Sequence, residues 1–151
     1  MLAPAAGVVV AVHDGEPDGV ARRSPLAQLP FALGQAGRLR RGVGAVAGNH
    51  VVVALPRGAF VAVCHLRSGS VDVAVGERVT PGQLLGRCGS SGNATEPHVH
   101  LQVMDAADPA AARGLPLAFR SFRERPRRGR RAVVRDAGVP GEGSVVEPLA
   151  R

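Results

Sequence analysis

The stretch "GSVDVAVGERVTPGQLLGRCGSSGNATEPHVHLQV", residues 69–103, alternates short β-branched runs with glycine and proline turns. The run that closes it and continues to Met104, "HVHLQVM" at 98–104, has no breaker and reads as a strand. Side chains of a strand alternate between faces, so His98 and His100 point the same way and can reach one ion or one water. Working outward, "SVDVAV" (70–75) and "QLLGRC" (83–88) read as further strands, and "AFVAVCHL" (59–66) ends in a third histidine, His65. "NHVVVAL" (49–55) and "GVVVAVH" (7–13) complete the set. Short strands separated by turns such as "PRG", "RSG" and "TPG" predict an antiparallel sheet protein.

A chain of 151 residues suits one domain with a modest core. All 19 basic residues are arginine, and lysine, tyrosine and tryptophan are absent, as in a GC-rich genome. The net charge of +7 resembles a nucleic-acid signal until it is located. Residues 1–119 hold 10 arginines against 8 acids, whereas residues 120–151 hold 9 against 4, so the basicity is concentrated in the tail. There Arg120, Arg123, Arg125, Arg127, Arg128, Arg130, Arg131 and Arg135 suit phosphate or carboxylate, predicting weak, salt-sensitive binding to anionic polymers. With almost no aromatic residues, base stacking and specific nucleic-acid recognition are not expected. "MLAPAAGVVVAV" lacks the positive region of a signal peptide and is too short to span a bilayer, so no export route or transmembrane segment is read.

Residues 14–48 form a long, charged, glycine-rich excursion whose one candidate helix is "SPLAQLPFALGQ", with Ser24 as cap and Pro25 in the first turn. Cys64 and Cys88 are too few for a disulfide scaffold and lack zinc-site spacing. Cys64 precedes His65 on a strand and is expected to face away from it, and Cys88 reads as a small buried residue. "NAT" at 93–95 reads as a turn.

Taken in order, Gly48 and Asn49, His65 and Leu66, Gly76, Val79, Gly82, Gln83, Gly86, Gly89, Ser91, Gly92, Pro97, His98 and His100 resemble the lysostaphin-type, or LytM-like, zinc metallopeptidases over residues 1–105. The resemblance implies an all-β fold of antiparallel sheets, a duplicated, barrel-sandwich-like core with a long inserted loop and short helix. The core is expected over residues 1–119, with the excursion at 14–48 and an arginine-rich segment at 120–151. It further implies Zn2+ held by an upstream histidine and aspartate and by His100, with His65 and His98 as catalytic residues flanking the attacking water. The implied substrate is the peptide cross-link of bacterial peptidoglycan. An extracellular or cell-wall location would follow if an export signal lies upstream.

The sequence departs from that pattern in one respect. "LAPAAGVVVAV" corresponds to the strand that follows the upstream metal motif, so the first histidine and the aspartate would lie before Met1. Met1 stands where an apolar residue such as valine is expected, and an in-frame valine codon can be mistaken for a start. The expectation is therefore an N-terminally truncated endopeptidase, inactive as numbered, since one imidazole cannot hold zinc. His13 with Asp18, or His50, could substitute only if they converged on His100. The alternatives are a degenerate, non-catalytic family member that binds cell wall or protein, and an arginine-rich polyanion-binding protein. The hairpin "VAVGERVTPGQLLG" also resembles biotinyl and lipoyl carriers, which the lack of any lysine excludes.

Overall fold

The computed structural model describes residues 1–20, 33–127 and 131–149. These residues divide into two compact units, Met1–Leu115 and Pro116–Arg151. No helix among the described residues is long and apolar enough to cross a membrane.

The first unit is a six-stranded antiparallel sheet. β1 (Gly7–His13), β2 (Asn49–Ala54), β3 (Phe60–Leu66), β4 (Arg78–Val79), β5 (His100–Met104) and β6 (Gly114–Leu115) stand in the order β4-β1-β2-β3-β5-β6. The valine runs of β2 and β3 occupy the centre, and alternation sorts them onto two faces. Val51, Val53, Val61, Val63 and Leu66 pack with Val9, Val79 and Leu85 on one face. Val52, Ala62, Cys64 and Met104 pack together on the other. A strand buried on both faces reads as a continuous apolar run, which is why β2 shows no polar alternation.

Two of the expected strands take another form. Residues 70–75 and 83–88 meet each other through the bond from Asp72 N–H to the Leu85 carbonyl, and the second run meets the end of β3 through Arg67 N–H to the Arg87 carbonyl and the isolated bridge of Leu66 to Cys88. Close turns leave neither run long enough for a ladder. The excursion contributes α1 (Gln35–Arg40) and α2 (Val43–Ala47). The helix expected from Ser24 falls mostly on residues 21–32, outside the described residues.

Residues 120–151 were expected as a basic segment, but much of this stretch is strand. β7 (Phe119–Arg125), β8 (Val133–Gly138) and β9 (Val145–Pro148) form a sheet of order β8-β7-β9. Three of its arginines face acids: Arg123 and Arg125 pair with Glu147, and Arg135 Nε meets Glu124 Oε2 at 3.0 Å. Glu124 is buried and also accepts bonds from Gly141 N–H at 2.7 Å and Ser144 Oγ at 2.8 Å. Those donors, Gly141 first, then Ser144 and Arg135, hold its carboxyl below the usual carboxylate range. Because the folded value lies below the unfolded one, the stabilisation is present above the ordinary glutamate pKa and is lost as pH falls through the folded value. Acid should therefore release amide protection in β7 to β9, and Glu124→Gln should weaken this sheet at neutral pH while flattening its response to acid. Hydrogen exchange measured between pH 3 and pH 7 checks both; an unchanged acid response in the variant would refute the assignment.

Candidate functional site

Residues Asn49 and Leu66 are partners across β2 and β3, and so are Val51 and Val63. One residue on β2, His50, thus opposes two on β3, Cys64 and His65, and the pair contains a β-bulge. His65 takes a φ of 60°, a left-handed conformation uncommon for a side chain other than glycine. The bulge breaks the pleat. The expectation that Cys64 faces away from His65 fails for this reason: both residues line one cavity. The Cys64 thiol is buried, which raises its pKa to about 11, while Cys88 is exposed; both are free thiols.

A small polar network holds the bulge. Asn49 is fully buried, and its side chain accepts from Glu16 N–H at 2.8 Å and donates to the carbonyls of Glu16 at 2.8 Å and Leu66 at 3.1 Å. Ser91, also fully buried, accepts from Asn49 N–H at 2.9 Å and donates through Oγ to the Leu66 carbonyl at 2.7 Å. Two donors thus converge on the carbonyl that follows His65, and the Ser91 carbonyl accepts from His65 Nδ1 at 2.9 Å. Backbone strain of this kind persists where surrounding bonds over-determine it.

Glycine makes that closeness possible. A Cβ on Gly92 would collide with Gly48 N and lie 2.6 Å from Gly48 Cα and 2.8 Å from the Val46 carbonyl oxygen, and its φ is 67°. Gly92→Ala should lower stability by at least about 2 kcal/mol, from the left-handed conformation and the backbone contact together. A urea midpoint that stays at the wild-type value would contradict this packing.

Three imidazoles gather at the bulge. The His65 ring lies 4.7 Å from that of His98 and 6.2 Å from that of His100, between centroids. His98 Nδ1 donates to the Glu96 carbonyl at 2.8 Å. Since a carbonyl only accepts, the Nδ1 of both His65 and His98 carries a proton, which selects the Nδ1–H tautomer of the neutral ring. His100 Nε2 instead meets Gln102 Oε1 at 3.2 Å. Burial, the largest influence, lowers the His65 pKa, opposed by its bond to Ser91 and reinforced by neighbouring histidines. Its ring is therefore neutral at pH 7 and available as a proton acceptor.

The remaining histidines continue the row. His13 and His50 are partners across β1 and β2, with stacked rings 5.4 Å apart. His50 Nδ1 donates to the Gly48 carbonyl at 2.7 Å, and burial lowers its pKa as well. His13 Nε2 lies 3.4 Å from Glu16 Oε1. Asp18 is engaged elsewhere, with Oδ1 accepting from Ser90 N–H at 2.7 Å and Oδ2 from Ser68 N–H at 3.1 Å, and so fastens the start of the excursion to the loops at those two serines. His13 and Asp18 do not join His100. Among the described residues no group of three or more histidine, cysteine, aspartate or glutamate side chains is placed to hold a metal ion. The donors here do not by themselves make a zinc site, which normally takes at least three protein ligands.

Some of the site escaped the sequence reading. Asn49 and Ser91 were visible in the "GN" and "SSG" motifs, but as pattern rather than as the network that holds His65. Gln102 and the α2 wall gave no signal. Asn93, read as a turn residue, accepts from Arg38 Nε at 2.8 Å and donates its N–H to the Val46 carbonyl, tying its loop to α2.

A family model described as Peptidase family M23 matches residues 33–112. No curated protein matches the chain significantly. Among solved structures, it is similar to the catalytic domain of a point mutant of the prophage-encoded M23 protein EnpA from Enterococcus faecalis, at 19% identity and a TM-score of 0.49, covering 76% of this chain and 64% of that one. It is similar to the catalytic domain of the antimicrobial peptidase lysostaphin from Staphylococcus simulans at 21% identity and a TM-score of 0.49, covering 76% and 65%. A zinc-containing peptidase from Vibrio cholerae aligns at 19% identity and a TM-score of 0.44, covering 73% of this chain and 24% of that one. The chain thus spans just under two thirds of the length of the first two.

Proposed function

The chain belongs to peptidase family M23, and from that premise we propose that it is the core of a zinc-dependent endopeptidase that hydrolyses peptide bonds in bacterial cell-wall peptidoglycan. The observation that carries this reading is the cluster of His65, His98 and His100 at the bulge, two of them with Nδ1 bound to backbone carbonyls. Fixed tautomers of this kind suit proton acceptance from a water and hydrogen bonding to a developing oxyanion. His65 and His98 take those roles. His100 takes the place of one metal ligand, and the other two donors are proposed to come from sequence outside these residues, in an N-terminally longer protein. Weak attraction of the β7 to β9 unit for anionic polymer is proposed as an accessory property.

The test is to express the longer open reading frame and incubate it with purified, cross-linked peptidoglycan. Zinc bound in a one-to-one ratio, together with new free amino groups in the digest, is the expected result. An in-frame stop immediately upstream, with no zinc bound and no cleavage, would favour a second reading, a non-catalytic binding module. The lack of a three-donor group among the described residues is the observation on that side.

A further inference from the structure

A cavity of about 520 Å³ opens beside the histidines, within the range of about 300–1,000 Å³ usual for small-ligand sites. Its floor is Ala62, Cys64 and Met104 on β3 and β5, and its wall is Val43, Val46 and Ala47 on α2. His65 and His100 close one end, and Asn93 and Gln102 contribute polar groups. Among the described residues, no aspartate, glutamate or arginine lines it. We propose that this cavity is a specificity pocket for an uncharged, apolar side chain of the peptide substrate, a reading that rests on the peptide-cleaving function proposed above.

The chemistry selects in two directions. An aliphatic side chain gains by covering the partly exposed Val43, Val46 and Ala47, since removal of apolar surface from water is favourable. An ammonium or carboxylate entering the same space would lose its water and find no opposite charge among the described residues, which costs far more than any contact returns. Peptide polar groups remain provided for: Asn93 and Gln102 offer amides at the edge, an arrangement suited to holding a backbone while its side chain points inward. Because His65 and His100 line the same space, the selected residue would stand next to the bond presented to the histidines.

The chain contains only two methionines, Met1 and Met104, so methyl-labelled methionine gives a reporter at the floor of the pocket. The 151-residue protein should be titrated with N-acetyl-leucine amide, N-acetyl-lysine amide and N-acetyl-glutamic acid amide, following the Met104 methyl resonance. The leucine compound should shift it in a saturable way, at least tenfold more tightly than either charged compound. Ala47→Phe, which fills the space from α2, should abolish the response. Ala110, an exposed residue at the cavity edge, provides a second variant should the first fail to fold: Ala110→Glu should raise the affinity for the lysine compound relative to leucine. A Met104 signal unmoved by the leucine compound, or moved equally by all three, would overturn the proposal. A selective response in a protein whose longer form cleaves nothing would leave the pocket standing and remove the hydrolytic reading.

Discussion

Replacing His65 with alanine is expected to lower kcat/KM for peptide cross-link hydrolysis by about 10²- to 10⁴-fold in the N-terminally longer, zinc-loaded protein, the range typical of a lost general base. Zinc content should not change, because His65 is not among the expected metal ligands. His98→Ala should behave alike, whereas His100→Ala should lose the metal. Zinc analysis beside initial rates separates these classes. A His65→Ala enzyme within tenfold of wild type would mean that the best-held imidazole of the cluster has no part in proton transfer.

The second large effect concerns Asn49, which touches no substrate in this reading. Asn49→Leu keeps roughly the same volume but removes three side-chain bonds and strands both the N–H and the carbonyl of Glu16. A buried polar group left unpaired costs about 1–3 kcal/mol, so a loss near 3 kcal/mol is expected for the first unit. That corresponds to a fall in Tm on the order of 10 °C. The His65 resonances should broaden or shift at temperatures where the sheet is intact, since the Leu66 carbonyl loses one of its two donors. A Tm within 2 °C of wild type would show that the network is dispensable.

These two residues also mark where sequence reading succeeds and stops. The strands around Val51, Val53, Val61 and Val63 were legible because burial on both faces demands a run of β-branched residues, and the all-β antiparallel class followed from them. His98 and His100 were legible as candidates, and both stand near His65, although the strand expected from residue 98 begins only at His100 and His98 lies in a bridge to Gly89 before it. The bulge was not, because it suspends that period, and histidine, unlike glycine, does not advertise a positive φ. Helix α2, "VGAVA", has weak helical propensity, and Gly44 sits close against the ring of His13, so packing rather than local sequence selects it. The β7 to β9 sheet was hidden by its charge: alternating arginines and glutamates look like a solvated run until Glu147 and Glu124 are placed across from them.

The bulge at Cys64 and His65 has a consequence for how this protein can change over generations. A deletion of either residue would restore the simple pleat between β2 and β3. It would leave Leu66 on the face it shares with Val63 and Leu85, because the residue removed is the one that interrupts the alternation. Site and core are therefore separable: shortening β3 by one residue would remove the left-handed seat of His65 and keep the valine face of the sheet in register. A lineage that gave up the proposed chemistry could thus do so by one in-frame deletion as readily as by point substitution, and the sheet would persist.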